Sequence, residues 1–323
     1  MLIYMLSAFT LSVILQELYL LKLCKLDIFK KKEAIEANKK PCIQQLHKHK
    51  SNTPTMGGLA IAVSFFVMTI VYACITRTSP IVPLCLLLFA ILGAIDDWIK
   101  LKKIRDGVTM KEKLLALLLI SSLIVGVLKM SGQISFTLSI PFLSISPVIP
   151  QSVMLIFLVF IILLSSNSMN LTDGLDGLAL GISSITLCCI MFLSYLVGNQ
   201  NVIMYAGMLL AICLGTLVFN RYPAKVFMGD TGSLFLGGAI DILLIQLRLP
   251  LWIPIFLLVC MWEVLSVIIQ LTSIRFRHKK VFLIAPYHHH LEKKQVKEVK
   301  IVAFFWAASV ICGIIGILGY LWR

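Results

Sequence analysis

The stretch QSVMLIFLVFIILLSSNSMNLTDGLDGLALGISSITLCCIMFLSYLV, residues 151–197, decides the fold class. It places two apolar runs, 151–168 and 178–197, on either side of a short polar segment rich in Asp, Asn and Gly. Each run has close to the roughly 20 residues that a helix needs to cross the hydrocarbon core of a bilayer. Because a lipid-exposed backbone must satisfy its own hydrogen bonds, such runs are predicted to be membrane-spanning helices.

The same alternation extends along the whole chain. Of its 323 residues, 59% are hydrophobic and 14% are charged, whereas soluble domains are roughly 45–50% apolar and about 25% charged. The sequence therefore predicts a single all-α integral membrane domain, 1–323, with about ten transmembrane helices. The predicted spans are 2–21, 56–75, 80–98, 114–130, 151–168, 178–197, 202–219, 233–247, 251–272 and 301–321. The connection 131–150 contains the alternating stretch ISFTLSI, which is typical of a short hairpin.

Lys and Arg lie in alternate connections between the predicted spans. Of the 29 basic residues, 25 fall in the four segments 22–54, 96–113, 220–232 and 273–300. The positive-inside rule assigns these segments to the cytoplasm and both termini to the outside. This distribution also explains the net charge of +14. Since no nucleic-acid-binding module is visible, no nucleic-acid partner is expected.

Five polar motifs lie in connections that this charge count assigns to the cytoplasmic face. They are TPTMGG (53–58), DDWIK (96–100), NSMNLTDGLDG (167–177), NRYPAKVFMGDTGS (220–233) and APYHHHLEKK (285–294), and all five are predicted to be loops. The orientation was derived from Lys and Arg alone, so the clustering of acids and histidines on the same side is a separate observation. The sequence therefore predicts an active site at the cytoplasmic face.

The five motifs carry the carboxylates Asp96, Asp97, Asp173, Asp176 and Asp230. Any one of them alone is more commonly a helix cap or a hydrated charge. Together on one membrane face they would repel one another unless a cation held them. Carboxylate oxygens without cysteine or suitably spaced histidine favour Mg²⁺, which commonly binds one or two carboxylates together with substrate phosphates. The pattern indicates magnesium-assisted phosphoryl chemistry.

Other polar residues have two interpretations each. Thr53-Pro54 could begin the second helix and Gly57-Gly58 could form a close helix contact, or this motif could contact substrate. The adjacent residues 288–290 cannot form an i, i+4 zinc site, so these histidines either hydrogen-bond to a diphosphate or belong to a hydrated loop. Glu17, Asp241 and Glu263 lie in apolar runs and are expected to face the interior of the bundle.

Taken together and in this order, TPTMGG, DDWIK, NLTDGLDGLA, FMGDTGS and PYHHHLE resemble the phospho-N-acetylmuramoyl-pentapeptide transferases (the MraY family, translocase I). This family lies within the polyprenyl-phosphate N-acetylhexosamine-1-phosphate transferases. The resemblance implies an enzyme of the bacterial cytoplasmic membrane that acts in peptidoglycan synthesis. It would transfer phospho-MurNAc-pentapeptide from UDP-MurNAc-pentapeptide to undecaprenyl phosphate with Mg²⁺, forming lipid I and UMP. It also implies ten helices with both termini outside, and a homodimer is left open.

The resemblance also implies roles for residues that match the motifs. The catalytic residues would be Asp96, Asp97 and Asp230, with Asp230 as the magnesium ligand. The substrate-binding residues would be Lys48, Lys113, Asn170, Asp173, Asp176, Asn220, Phe227, His288, His289 and His290. Direct attack by the lipid phosphate, after deprotonation by Asp96, is favoured over a covalent phospho-aspartate because a phosphate already carries the needed charge.

Two other functions would also account for parts of this pattern. A sister enzyme that transfers GlcNAc-1-phosphate to the same lipid shares the acidic motifs and would differ in TPTMGG and in the three-histidine motif. A lipid or ion transporter belongs to another class. Transporters place ionisable residues near the bilayer midplane, whereas here the acids gather at predicted helix ends.

Overall fold

A computed structural model describes residues 1–23 (the side chains of 22 and 23 excepted), 53–102, 104, 105 and 107–323. Its principal helices are α1 (Leu2–Leu18, continued by a π-helical turn, Tyr19–Leu23), α2 (Gly58–Thr76), α3 (Leu87–Leu101, preceded by a short helix, Ile81–Cys85), α4 (Met110–Met130), α5 (Gln151–Thr172), α6 (Leu178–Val197), α7 (Gln200–Asn220), α8 (Gly229–Gln246), α9 (Leu258–Arg277), α10 (Tyr287–Lys293) and α11 (Glu298–Leu321). The all-α prediction is confirmed.

Within these described residues, nine helices are long and apolar enough to cross a membrane. They are the principal helices other than α8 and α10, with Ile81–Leu101 counted as one span. The predicted span 233–247 is present as helix α8, but Asp230, Asp241 and four glycines keep that helix outside the apolar group. By length and composition the structure therefore supports nine of the ten predicted spans.

Several predicted loops are helical, which corrects the sequence analysis. Helix α3 continues past the predicted end at 98 to Leu101, and Lys100 pairs with Asp96 one turn away and compensates its charge. Helix α5 extends to Thr172, and α8 already begins at Gly229. The three histidines lie in the short helix α10.

The predicted span 251–272 differs from the observed structure. It divides into a 3-10 turn (Pro250–Trp252), a short helix (Ile253–Phe256) and α9. Pro250 and Pro254 lie in the first turns of the 3-10 turn and of the short helix, where proline, which has no N–H to donate, is tolerated.

Glycines bring α8 into close contact with its neighbours. A Cβ on Gly58 of α2 would lie 2.1 Å from the backbone nitrogen of Gly232, and one on Gly93 of α3 would lie 2.3 Å from the carbonyl oxygen of Asp230. A Cβ on Gly237 would lie 2.7 Å from Cα of Ser166 in α5. Small residues let membrane helices approach backbone to backbone. As a result α8 is enclosed, and every residue from 231 to 245 is buried.

The remaining expectations have mixed outcomes. The segment 131–150 does pair with itself, since Leu138 N–H donates to the Pro147 carbonyl at 2.9 Å and Ile149 N–H to the Phe136 carbonyl at 2.8 Å. Asp241 and Glu263 are fully buried, as predicted. Glu17 is exposed, so its predicted inward orientation is wrong.

Candidate active site

The N-terminus of α8 is capped by a carboxylate from another helix. Asp97 of α3 accepts the Asp230 N–H at 3.1 Å through Oδ1. Its Oδ2 accepts the N–H of Thr231 at 3.0 Å and the hydroxyl of Thr231 at 2.7 Å. The first N–H groups of a helix have no partner within the helix, and a negative charge there is favourable. The buried Asp97 therefore fixes the position of the α8 N-terminus and of Asp230 itself.

Two lysines bridge the carboxylates of Asp96 and Asp230. Lys100 Nζ lies 2.7 Å from Asp96 Oδ2 and 3.0 Å from Asp230 Oδ2. Lys113 Nζ lies 2.7 Å from Asp230 Oδ2 and 3.7 Å from Asp96 Oδ2. Asp96 Oδ1 also accepts the Val108 N–H at 2.5 Å. The arrangement holds two ammonium groups beside two carboxylates that come from different helices.

Asn170, near the end of α5, joins this cluster. Its Oδ1 accepts from Lys113 Nζ at 2.7 Å, and its Nδ2 donates to Ser233 Oγ at 2.8 Å. The Ser233 hydroxyl in turn donates to the Gly229 carbonyl at 3.0 Å. Asn170 thus links α4, α5 and α8 at one point, which agrees with its predicted place beside the acidic residues.

Asp173 directly follows the end of α5 and is partly buried. Its pKa is raised to about 8, first by burial and then by the negative charges of Asp230 and Asp97, against the lowering effect of a hydrogen bond from the Gly229 backbone. The shift therefore reflects burial first and the neighbouring carboxylates second.

A charge count over the cluster supports a divalent cation. The three carboxylates of Asp96, Asp97 and Asp230 face two ammonium groups, which leaves one negative charge uncompensated. Asp173, with its pKa of about 8, adds a second negative charge when a nearby cation lowers that pKa. In the described part of the chain, no three acidic, histidine or cysteine side chains converge closely enough to hold a metal by themselves. The donor set fits Mg²⁺ all the same, because this ion commonly takes one or two protein carboxylates and completes its shell with phosphate oxygens and water.

Asp176 and Asn220 hold the two segments that border the cluster. Asp176 Oδ2 accepts the Ala224 N–H at 2.9 Å. Asn220 accepts the Gly177 N–H at 3.0 Å and donates to the Val226 carbonyl at 2.8 Å. Residues 173–177 form a turn and not a helical face, with Gly177 at φ +77°. The buried Asn220 uses both side-chain groups on the backbone and so positions these two segments, while its predicted substrate contact stays a prediction.

Phe227 reaches the TPTMGG segment through its backbone. Its N–H donates to the Pro54 carbonyl, and its carbonyl accepts the Gly57 N–H, both at 2.8 Å. Helix α2 begins at Gly58, so the interpretation of Thr53 and Pro54 as helix start is wrong, whereas the close contact at Gly57 and Gly58 is confirmed. Lys48 lies outside the described residues.

The three histidines make three different sets of contacts. His288 is fully buried, with Nδ1 3.2 Å from Glu263 Oε2. His289 Nδ1 lies 2.6 Å from Glu292 Oε2. His290 accepts the Leu283 N–H through Nδ1 at 3.0 Å, and burial followed by the nearby Lys294 charge lowers its pKa, in keeping with a neutral acceptor. The prediction of a hydrated loop is therefore wrong.

Sequence reasoning missed two residues of this region, Lys100 and Ser233, and it predicted the burial of Glu263 but not its partner. Lys100 stands four residues after Asp96, a spacing that brings side chains together only on a helix. Because DDWIK was predicted to be a loop, that signal carried no weight. Nothing in the sequence links Ser233 to Asn170 or Glu263 to His288.

A separate hollow of about 510 Å³ lies at the opposite end of α8, beside Asn199, Gln246 and Arg248. None of the predicted site residues lines it. It is therefore distinct from the acidic cluster.

Comparison with known proteins gives consistent matches. A family model described as Glycosyl transferase family 4 matches residues 79–248, and one described as Phospho-N-acetylmuramoyl-pentapeptide-transferase signature 1 matches residues 50–61. A phospho-N-acetylmuramoyl-pentapeptide-transferase of Staphylococcus carnosus is 39% identical over 282 residues, which cover 84% of this chain and 87% of that protein. A protein of the same name from Acetivibrio thermocellus is 38% identical over 84% of this chain and 82% of its own length. Another from Clostridium novyi is 36% identical over 84% of this chain and 84% of its own length.

Proposed function

The chain belongs to the phospho-N-acetylmuramoyl-pentapeptide-transferases, and we propose that it transfers phospho-MurNAc-pentapeptide from UDP-MurNAc-pentapeptide to undecaprenyl phosphate. The products are lipid I and UMP. The single observation that supports this chemistry best is the pair of lysines, Lys100 and Lys113, that bridge Asp96 and Asp230 beside Asn170. Two ammonium groups that converge beside carboxylates can bind phosphate groups and stabilise the negative charge that develops on them during transfer. Membership of a transferase family replaces the transporter alternative.

The chemical step follows from the charges at the cluster. An oxygen of the lipid phosphate attacks the phosphorus that carries the sugar, and the bond from that phosphorus to the oxygen of UMP breaks. Lys100 and Lys113 neutralise the charge of the bound phosphates. When the lipid phosphate carries a proton, Asp96 accepts that proton. Asp97 holds the α8 N-terminus in place. A bound Mg²⁺, with Asp230 as its proposed ligand and Asp173 nearby, would supply charge neutralisation of the diphosphate.

The donor distinguishes this proposal from that of a sister enzyme. Purified protein with Mg²⁺, undecaprenyl phosphate and each UDP-sugar in turn is expected to release UMP from UDP-MurNAc-pentapeptide and very little from UDP-GlcNAc. Mass spectrometry of the lipid product identifies the sugar that was transferred. Higher turnover of UDP-GlcNAc would replace the muramoyl proposal with the sister-enzyme function.

His289 is proposed to contact the muramoyl donor, and His289→Ala tests this. The ring lies near the protein surface beside Glu292, so its removal disturbs the core less than removal of His288 would. A lost charge-assisted hydrogen bond corresponds to about 1.5 to 3 kcal/mol, or a roughly 10- to 100-fold lower kcat/KM for the donor. An equally large loss in kcat/KM for undecaprenyl phosphate would argue against a contact between His289 and the donor.

The proposed localisation is the bacterial cytoplasmic membrane, with the acidic cluster on the cytoplasmic side and both termini outside. Single-cysteine labelling in a cysteine-free background tests this at four exposed positions. Residues 225 and 295 are expected to react only from the cytoplasm, and residues 144 and 200 only from outside. Labelling of residues 200 and 295 from the same side would contradict the proposed orientation. Chemical crosslinking of the same membranes would test for a homodimer.

A further inference from the structure

His288 forms a buried pair with a residue of a membrane-spanning helix. Its ring and the carboxyl of Glu263 in α9 are both fully buried. Nδ1 of the ring lies 3.2 Å from Glu263 Oε2, and the same oxygen accepts the His288 backbone N–H at 3.3 Å. One carboxylate oxygen thus accepts a hydrogen bond from the His288 backbone and lies at ion-pair distance from its ring.

Glu263 is otherwise a costly residue at this place. Ionisable groups within membrane helices are expensive, and they are retained where they pair with one another or serve a site. Among the described residues, Glu263 Oε1 has no hydrogen-bond partner, and the nearest charge partner of the carboxyl is His288. The contact with His288 is therefore what this carboxyl does in the folded protein.

The other face of the His288 ring lies against the turn that borders the acidic cluster. A Cβ built on Gly174 would lie 2.2 Å from His288 Nε2 and 2.9 Å from Cε1. Gly174 directly follows Asp173 and stands two residues before Asp176. Both ring nitrogens are buried and make no hydrogen bond among the described residues: Nδ1 has Glu263 Oε2 at ion-pair distance, whereas Nε2 has no charged partner. An unpartnered, buried nitrogen at the rim of a phosphate site indicates a ligand group that completes it.

Helix α10 is held along α9 at further points, so the position of His288 is set by α9. Tyr287 packs edge-on against Trp262, with ring centroids 5.9 Å apart. The segment that precedes α10 is held by Gln270 of α9, whose Oε1 accepts the N–H of Phe282 at 2.9 Å and whose Nε2 donates to the Phe282 carbonyl at the same distance. A ring whose helix is anchored in this way needs a partner at Nδ1 to select its rotation.

We propose that Glu263 is a positioning residue for the transfer reaction: its carboxylate, 3.2 Å from Nδ1 of His288, attracts that side of the ring and thereby directs Nε2 toward the Asp173–Gly177 turn, where the diphosphate of the donor binds. This inference rests on the proposed function. Carboxylates that orient a histidine through one nitrogen, so that the other can act, are common partners of functional histidines. Glu263 acts through His288 and has no contact with the reacting atoms.

A double-mutant cycle on the full-length, membrane-embedded protein tests the coupling. Glu263→Gln keeps size and an acceptor oxygen but removes the charge, and it is expected to lower kcat/KM for UDP-MurNAc-pentapeptide roughly 10- to 100-fold. In a His288→Ala background, Glu263→Gln is expected to lower kcat/KM less than about 2-fold, because the ring through which Glu263 acts is absent. Effects that multiply independently, or a Glu263→Gln variant with wild-type kinetics, would overturn the proposal.

Asp241→Asn is the matched control for loss of a buried carboxyl. Asp241 is also fully buried, and it lies outside the acidic cluster. We expect kcat/KM within about 3-fold of wild type. A loss as large as that of Glu263→Gln would mean that any buried carboxyl is needed for the bundle, and the specific role of Glu263 would be rejected.

A second pair of variants asks which ring nitrogen acts. The amide nitrogen of Gln reaches the place of Nε2, and that of Asn the place of Nδ1. His288→Gln is expected to retain at least about 10-fold more activity than His288→Asn. Equal activities, or the reverse order, would contradict the assigned orientation even if Glu263→Gln failed to fold.

Failure of this inference is separable from failure of the proposed function. If wild type uses UDP-GlcNAc and not the muramoyl donor, the proposed function fails, and the cycle is run with UDP-GlcNAc, whose diphosphate occupies the same place. Coupling with that donor would sustain the role of Glu263. Absence of coupling with a donor that wild type turns over would reject it.

Discussion

Replacing Asp230 by Asn is expected to lower turnover by at least about 1,000-fold while the protein stays folded. Asp230 Oδ2 accepts hydrogen bonds from Nζ of both Lys100 and Lys113, and Asp230 is the proposed ligand of Mg²⁺. Asn keeps the size of the side chain but not the negative charge, so the cluster loses the group on which its cations converge. A loss of about 4 kcal/mol in transition-state stabilisation corresponds to roughly this factor.

The measurement is the rate of UMP release at saturating substrates over a range of Mg²⁺ concentrations. Asp241→Asn provides the control, because it makes the same chemical change in the same helix at a distance from the cluster. Size-exclusion profiles and thermal unfolding curves of the three proteins are expected to agree. Activity within about 10-fold of wild type at ordinary Mg²⁺ would rule out Asp230 as the metal ligand.

Asp97→Asn is expected to damage both stability and activity, in contrast to Asp230→Asn. Its carboxylate accepts three hydrogen bonds at the start of α8, and an amide turns one acceptor into a donor that faces N–H groups. Loss of a helix cap costs about 0.5 to 2 kcal/mol, and loss of a bond to a charged group about 1.5 to 3 kcal/mol. We expect a lower unfolding temperature and a roughly 100-fold lower turnover, since Asp230 moves with the helix start.

Thr231→Val is the graded control for this prediction. It removes the hydroxyl bond to Asp97 at 2.7 Å but leaves the two backbone bonds in place. Its unfolding temperature is expected to lie between those of wild type and Asp97→Asn. An Asp97→Asn protein with normal stability and abolished turnover would show instead that Asp97 acts directly in the chemistry.

The membrane spans could be predicted from the sequence because each consists of consecutive apolar residues. Apolar runs near 20 residues identified every principal helix except α10. The boundaries at the cytoplasmic motifs were less accurate, because Asp96 and Asp97 look like the end of a helix when their partners are unknown. Their charges are compensated by Lys100 and by the N-terminus of α8, and the second of these contacts spans more than a hundred residues of chain.

The residues of the candidate site could be predicted from the sequence, but the separate role of each residue could not. Adjacent aspartates are indistinguishable in sequence, yet Asp97 caps a helix while Asp96 pairs with lysines. The adjacent histidines likewise point in different directions once residues 287–293 form a helix, so that His288 enters the interior and His289 lies near the surface. Such roles depend on side-chain direction and on distant partners, which no local pattern contains.

The enclosure of α8 has a consequence for the order in which the chain is built. This helix carries two aspartates and four glycines and falls outside the group that lipid would accept by composition. Its closest partners, α2, α3 and α5, all precede it in the chain and leave the ribosome first. During synthesis, α8 thus enters a cleft already lined by protein, and a nascent chain stopped after Asn220 would hold that cleft open to lipid. We expect biogenesis to be most vulnerable between completion of α7 and arrival of α8.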